Sequence, residues 1–134
     1  MRVLVTGSRD FSDARTVMRG ITVAIETLIA KFPEDKEIVV IHGAAKGADA
    51  LAENYVHNTA QYLTSKGYRI RQEKHPANWD KHGRAAGPIR NQEMVDKGAD
   101  ICVAFVKVGA ANRGTTDCAN RARKAGIEVL EFKA

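Results

Sequence analysis

The stretch VTGSRDFSD, residues 5–13, ends an apolar run and leads directly into a glycine, a hydroxyl, a cation and a carboxylate. The run itself, Arg2–Thr6, is short and rich in valine and leucine, which favours a buried strand. Asp13 stands where a carboxylate can cap a helix that continues to about Lys31, shortly before a proline. The stretch therefore predicts a strand, a turn suited to an anion and a helix.

The same alternation continues along the rest of the chain. Further apolar runs predict strands at Glu37–Ile41, Tyr68–Lys74, Asp100–Phe105 and Glu128–Phe132. Helices are predicted from Gly47 to about Ser65, from about Pro88 to Lys97 and from about Thr115 to Lys124. Strict alternation favours parallel strands joined by right-handed crossovers. The sequence thus predicts an α/β, Rossmann-like three-layer fold, with a five-stranded, mainly parallel sheet and helices on both faces.

Length and composition limit the class of protein. The chain has 134 residues, of which 44% are hydrophobic and 28% charged, and these values are typical of one folded domain spanning residues 1–134. No run approaches the roughly 18 apolar residues of a membrane span, so no membrane location is expected. The first residues resemble a strand rather than a signal peptide, which predicts a cytoplasmic protein.

Charge, cysteines and histidines favour an anionic ligand over a metal. A formal net charge of +5 favours a phosphate-bearing partner. Cys102 lies in an apolar strand-like run and Cys118 in a helix-like run, and both are expected to be buried thiols rather than a disulfide. The four histidines lack the spacing of metal ligands. We therefore expect neither a metal nor a cofactor.

Four of the five predicted strands end in loops with unusual residues. In a sheet of this kind, ligands bind outside the carboxyl ends of the strands, so these loops are expected to converge on one site. The candidate ligand-binding residues in and after them are Gly7, Ser8, Arg9, Asp10, Gly43, Lys46, Gly47, Asp49, Trp79, Arg84, Arg90, Asn91, Gly114 and Thr115.

Two glycine-containing turns are candidates for holding a phosphate. Small residues let a phosphate approach the backbone, where amides at a helix start can donate to it with the helix dipole behind them. Residues 43–47 and the Gly114-Thr115 pair fit this role, although glycine after a strand is usually only a turn. Neither the P-loop motif nor the dinucleotide fingerprint occurs.

Two larger side chains are further candidates, each with a structural alternative. Arg90 is expected in the first turn of its helix, where the helix dipole disfavours a cation unless an anion balances it. An ion pair with a nearby aspartate or glutamate would explain Arg90 without a ligand. Trp79, in a polar stretch, is suited either to stacking on a base or to closing its loop onto the core.

With these residues in view, the chain resembles the SLOG superfamily, and most closely its small YspA/YpsA-related branch, which occurs in bacteria and their phages. The matching stretches are VTGSRDFSD at 5–13, IHGAAKGADALAE at 41–53, PANWDKHGRAAGPIRNQEMVDKGAD at 76–100 and GTTDCANRARKAGI at 114–127. The resemblance covers nearly the whole chain. It implies a Rossmann-like SLOG domain, a nucleotide or nucleotide-derived ligand and a homodimer.

The resemblance implies first a nucleotide-binding module that can act as a sensor, and second a nucleoside 5′-monophosphate phosphoribohydrolase. Those enzymes place an arginine four positions before a methionine, which Arg90 and Met94 match. Their PGGxGTxxE motif is only partly present, because Cys118 stands at the glutamate position. In an enzyme, Arg90 would therefore hold the phosphate and Asp117 or Asp10 would take the glutamate's part.

The resemblance also implies a third function, because DNA-processing relatives bind single-stranded DNA. A basic segment near the C-terminus, with Arg113, Arg121, Arg123 and Lys124, is the feature of this chain that motivates it. These cations also suit a solvated helix face. Nucleic acid thus stays open as a partner beside a small nucleotide.

Overall fold

The computed structural model describes the whole chain, residues 1–134. Its strands are β1 (Arg2–Gly7), β2 (Glu37–His42), β3 (Arg69–Lys74), β4 (Ile101–Val106) and β5 (Val129–Lys133). Its helices are α1 (Ala14–Lys31), α2 (Ala48–Ser65), α3 (Trp79–His82), α4 (Ala86–Asp96) and α5 (Arg113–Lys124). A single 3₁₀ turn, Gly83–Ala85, joins α3 to α4. The predicted Rossmann-like α/β fold is confirmed.

All five strands are parallel, in the order β3-β2-β1-β4-β5. The chain starts in the centre, builds outward to β3, and then returns to the other side of β1 with β4. The loops that follow β1 and β4 therefore diverge onto opposite faces of the sheet. Such a reversal of strand order leaves a crevice at the carboxyl ends of the two strands, where α/β proteins bind ligands.

Alternate residues of the central strands supply two cores, because successive side chains of a strand point to opposite faces. On one face, Val3, Val5 and Phe105 pack with apolar residues of α1 and α2. On the other, Leu4 and Ile41 pack with apolar residues of α4 and α5. Both faces of the sheet are thereby covered, which fixes the helix starts that surround the crevice.

Helix ends explain where the sequence-based bounds hold and where they are wrong. Asp13 caps α1 as predicted, since its Oδ1 accepts a hydrogen bond of 3.0 Å from the Thr16 amide. The predicted helix from about Pro88 to Lys97 starts two residues too late, because α4 begins at Ala86 and includes the proline in its first turn. Proline is tolerated there, since an amide in the first turn has no partner inside the helix.

None of the helices combines the length and the apolar character that crossing a membrane requires.

Candidate functional site

A cleft of about 620 Å³ lies at the carboxyl ends of β1 and β4, where the strand order reverses. Its walls come from the loop after β1, the first half of α4, and the loop after β4 together with the first turn of α5. A smaller cleft of about 460 Å³ adjoins it. Arg9, Asp10, Ala45 and Arg90 line both clefts and mark where they meet.

All but two of the candidate ligand-binding residues line one or both clefts. The first exception is Gly47, whose φ of 73° and tight contact with the backbone of Ser8 and Arg9 give it a structural part. The second is Arg84, which is exposed in the 3₁₀ turn and lies outside both clefts. The helical path of residues 79–85 carries Arg84 away from the strand ends, which the sequence did not reveal.

The loop after β2, residues 43–47, is closed by a side chain of the helix that follows. Asp49 Oδ2 accepts hydrogen bonds from the amides of Gly43 and Ala45, at 3.1 and 3.3 Å. A carboxylate of the protein therefore occupies the place that an anionic ligand would take in an open turn of this type.

Two further amides at this loop also donate to the protein. The Ala44 amide donates to Nδ1 of the buried His42 at 3.0 Å, so that Nε2 carries the proton and donates to Gln72 Oε1 at 2.8 Å. The Ala48 amide, at the start of α2, donates to the Ser8 carbonyl at 3.3 Å. A phosphate on this loop would have to compete with all of these acceptors.

Asp49 has one oxygen that these contacts do not use. The residue is only 6% exposed, and its Oδ1 is buried without a hydrogen-bond partner. Burial raises the pKa of this carboxyl, against the opposing effect of His42, the Ala45 amide and Arg90. An unpaired buried polar atom costs about 1–3 kcal/mol, so one that borders a cleft points to a ligand group as its partner.

Arg90 joins α4 to the loop after β2. Its Nη1 donates to the carbonyls of Gly43 and His75, at 2.6 and 3.3 Å, and its Nε donates to Asn91 Oδ1 at 3.0 Å. No carboxylate lies within salt-bridge distance of its guanidinium. Because α4 begins at Ala86, Arg90 lies beyond the first turn, and the predicted conflict with the helix dipole does not arise there.

The start of α5 is organised differently from the loop after β2. Asn112, the residue before α5, has a φ of 53°, and its side chain turns back to the Lys107 amide and the Lys107 and Ala110 carbonyls, at 2.8–3.0 Å. It therefore makes no side-chain cap on α5. The amides of residues 113–115 precede the first bond of the helix, from Thr116 to the Asn112 carbonyl.

Gly114 and Thr115 leave this helix start accessible from the larger cleft. An added Cβ on Gly114 would meet no atom within 4 Å. Thr115 is only 3% exposed, and its Oγ1 is a second buried atom without a hydrogen-bond partner. Unused amides, a hydroxyl and the positive end of the helix dipole together form a site that suits an anion.

One carboxylate of α5 borders the larger cleft, one residue before the position that holds a glutamate in the phosphoribohydrolases. Asp117 lines the cleft, and its Oδ2 accepts from Asn91 Nδ2 at 3.0 Å and Arg121 Nε at 2.9 Å. Burial raises the pKa of Asp117, but these donors outweigh it and hold the pKa below its ordinary value. Cys118 instead faces the core beside Thr6, where burial raises the pKa of the thiol to about 11.

The smaller cleft has an aromatic wall. Trp79 is 47% exposed, and the guanidinium carbon of Arg9 lies 5.2 Å from the centroid of its ring. Trp79 begins α3, with Asn78 as the cap through a 3.1 Å hydrogen bond to the Lys81 amide. The sequence predicted a loop at Trp79, whereas this residue begins a short helix, and its side chain lines the smaller cleft.

The protein engages two of the four cations in the basic segment near the C-terminus, Arg121 and Arg123, whereas Arg113 lines the larger cleft. Arg121 binds Asp117 and also donates to Gln92 Oε1 at 2.8 Å. Arg123 forms a 2.8 Å salt bridge with Glu131. These contacts leave fewer free cations for a nucleic-acid backbone than the sequence indicated.

Sequence reasoning missed two residues that shape the site. Asn112 carries a signal that could have been used, since asparagine is enriched in the left-handed region and in positions before helices. His42 carries none, because only the fold shows that the Ala44 amide and Gln72 lie at its two ring nitrogens.

The molecule is thus an α/β protein with a cleft at the switch point of a parallel sheet. The chain belongs to the YspA, cpYpsA-related SLOG family, whose model matches residues 1–82. It is 40% identical to the Gene 61 protein of Mycobacterium phage D29 over 131 residues, which cover 98% of this chain and 95% of that relative. No solved structure matches the chain. Family membership indicates a nucleotide-related ligand in general terms.

Proposed function

We propose that this protein is a single nucleotide-binding domain whose larger cleft takes a nucleotide or nucleotide-derived ligand. The observation that carries the proposal is the unsatisfied start of α5. The amides of residues 113–115 have no side-chain cap, Gly114 leaves them accessible, and Thr115 Oγ1 has no partner. A phosphate is the ligand group that satisfies all of these donors at once.

The cations at the junction of the clefts support the same assignment. Arg9 is exposed, lines both clefts and forms no salt bridge, so its guanidinium is available to a phosphate. Arg90 also lines both clefts but is held by two carbonyls, which makes it a source of positive potential rather than a free ligand. The base then stacks against Trp79 in the smaller cleft.

The test is a thermal-shift screen of the protein with nucleoside mono-, di- and triphosphates, cyclic nucleotides, dinucleotides, NAD, ADP-ribose and a single-stranded DNA oligonucleotide. A ligand at a hundredfold excess over its Kd stabilises the native state by about 2.7 kcal/mol, which gives a measurable rise in Tm. We expect at least one nucleotide to raise the Tm. If no nucleotide does so, the proposal is wrong, and a shift with DNA alone would support the nucleic-acid alternative.

The matched variants are Arg9→Ala and Arg84→Ala. Both remove one exposed arginine, but only Arg9 lines the clefts. Loss of a charge-assisted contact is expected to weaken binding of the best nucleotide by about 1.5–3 kcal/mol in Arg9→Ala and to leave Arg84→Ala unchanged. Equal losses in the two variants would indicate a general effect of net charge and would contradict the assigned site.

A second candidate function, cleavage of a nucleoside 5′-monophosphate between base and ribose, rests on Asp117. This carboxylate lines the larger cleft and is kept ionised by Asn91 and Arg121, as a group that stabilises an oxocarbenium-like transition state must be. The test is release of free base from a panel of monophosphates, with loss of activity in Asp117→Asn. No release from any of them would exclude this candidate and leave the binding function in place.

A further inference from the structure

The two carboxylate oxygens of Asp49 have different surroundings. Oδ2 accepts from the amides of Gly43 and Ala45 and so holds the loop after β2. Oδ1 is buried without a partner, in a residue that lines the larger cleft. Holding the loop needs only one acceptor oxygen, which the side-chain carbonyl of an asparagine would also supply. The second oxygen therefore has no part in holding the loop and is free to meet a ligand.

The position of Asp49 indicates which part of a nucleotide it meets. Asp49 lines the larger cleft together with Thr115 at the start of α5, whereas Trp79 lines only the smaller one. Arg9 and Arg90 border both. In a nucleotide the sugar separates the phosphate from the base. Asp49 lines the larger cleft and bonds Gly43 and Ala45, which line the smaller one. With the phosphate at α5 and the base at Trp79, the sugar would therefore pass Asp49.

The hydrogen-bonding capacity of a carboxyl oxygen indicates which group of a nucleotide can pair with Asp49 Oδ1. A phosphate oxygen would meet a carboxylate with like-charge repulsion. A hydroxyl group donates to a carboxylate and also accepts from a protonated carboxyl, so it satisfies Oδ1 in either state. On the basis of the proposed function, we infer that Asp49 Oδ1 binds a sugar hydroxyl and makes the site selective for ribonucleotides over deoxyribonucleotides.

The first experiment needs no variant. Calorimetric titration compares AMP, GMP, CMP and UMP with their 2′-deoxy and 3′-deoxy counterparts on the full chain. For at least one base, the ribonucleotide is expected to bind about tenfold or more tightly than one of its deoxy counterparts, because the deoxy form leaves Oδ1 unpaired. If both series bind within twofold of each other, the inference is overturned while the proposed function stands. If no monophosphate of any series binds, the inference fails, and the thermal-shift screen decides separately whether the proposed function stands.

Asp49→Asn then tests the assignment to this residue. The side-chain carbonyl of asparagine can still accept from Gly43 and Ala45, while an amide group replaces the unpartnered oxygen. The preference for the ribonucleotide is expected to fall below about threefold, mainly through weaker binding of the ribonucleotide. The control is Glu93→Gln, which removes one negative charge from an exposed position of α4 outside both clefts and should keep the full preference.

The outcomes decide whether Asp49 itself produces the preference for a ribonucleotide. A full preference that persists in Asp49→Asn would assign the discrimination to another residue and overturn the inference. A preference lost equally in Glu93→Gln would do the same, since net charge rather than contact would be responsible. If Asp49→Asn did not fold, the comparison of ribonucleotides with deoxyribonucleotides on the unmodified chain would still decide whether a sugar hydroxyl is recognised.

Discussion

The β2–α2 loop and the β4–α5 loop differ in a way that their sequences conceal. Each follows a buried central strand, contains glycine and leads into a helix, so both fit a phosphate-binding turn. In the β2–α2 loop, residues 43–47, the first three amides donate to Asp49 and His42, and the Ala48 amide that follows the loop donates to the Ser8 carbonyl. In the β4–α5 loop, residues 107–112, the side chain of Asn112 bonds the amide and carbonyl of Lys107 and does not cap the helix.

Glycine and a helix start do not by themselves define an anion site. An anion can bind only where the protein does not already supply acceptors for the backbone amides. Asp13 caps α1, Asp49 accepts from two amides of the loop before α2, and the Ala48 amide at the start of α2 donates to the Ser8 carbonyl, so the protein supplies acceptors at both places. At the start of α5 it supplies none to the amides of residues 113–115, and the buried Thr115 hydroxyl beside them has no partner. The side of the crevice that we propose for binding is the one where folding leaves donors without acceptors.

The largest expected loss in unfolding free energy concerns the β2–α2 loop. Gly47 has a φ of 73°, and an added Cβ would clash with the Ser8 carbonyl oxygen. Strain at positive φ and a clash with backbone together predict that Gly47→Ala lowers the free energy of unfolding by about 3 kcal/mol or more. Urea denaturation of the protein without ligand measures this loss.

The control for that prediction is Gly98→Ala. Gly98 has a φ of 88°, but an added Cβ would meet nothing within 4 Å, so only the conformational strain is introduced. We expect a loss of about 1 kcal/mol. Equal losses in the two variants would mean that the contact of Gly47 with the loop after β1 does not hold the β2–α2 loop in place.

A smaller effect separates the two arginines at the junction of the clefts. Arg90 donates to the carbonyls of Gly43 and His75, and Arg90→Ala removes charged hydrogen bonds that join α4 to the β2–α2 loop. The expected loss in unfolding free energy without ligand is about 2 kcal/mol. Arg9→Ala serves as the reference, since its exposed side chain should change stability by no more than about 0.5 kcal/mol. Equal unfolding free energies of the two variants would show that Arg90 does not stabilise the β2–α2 loop.

The general fold could be predicted from the sequence because its signals are local. Short β-branched runs, the Asp13 cap and glycines after helices placed every strand within a few residues. The start of α4 could not be placed in this way, since a proline predicts the first position of a helix and Pro88 occupies the third position of α4. The short helix at Trp79 was missed because a four-residue element leaves no periodicity to detect.

The site could be predicted only as a set of loops. Parallel strands bring their carboxyl ends to one edge, so the convergence of Gly7–Asp10, Arg90 and Thr115 follows from the fold class. Which amides are free does not follow from it. That Asp49 folds back onto Gly43 and Ala45 depends on side-chain direction in the finished structure, and no spacing in the sequence records it.

The smallest expected change in stability tests whether the Thr115 hydroxyl, at the start of α5, lacks a partner within the protein. Thr115→Val replaces an unpartnered hydroxyl by a methyl group of the same shape, so stability without ligand should stay within about 0.5 kcal/mol or rise. Nucleotide affinity should fall by about 0.5–1.5 kcal/mol, because the hydroxyl is then missing from the proposed phosphate site. The matched control is Thr116→Val, an exposed neighbour outside both clefts, which should leave affinity unchanged. A clear loss of stability in Thr115→Val would mean that this hydroxyl has a partner within the protein. The polar groups at the start of α5 would then be paired within the protein, like those of the β2–α2 loop.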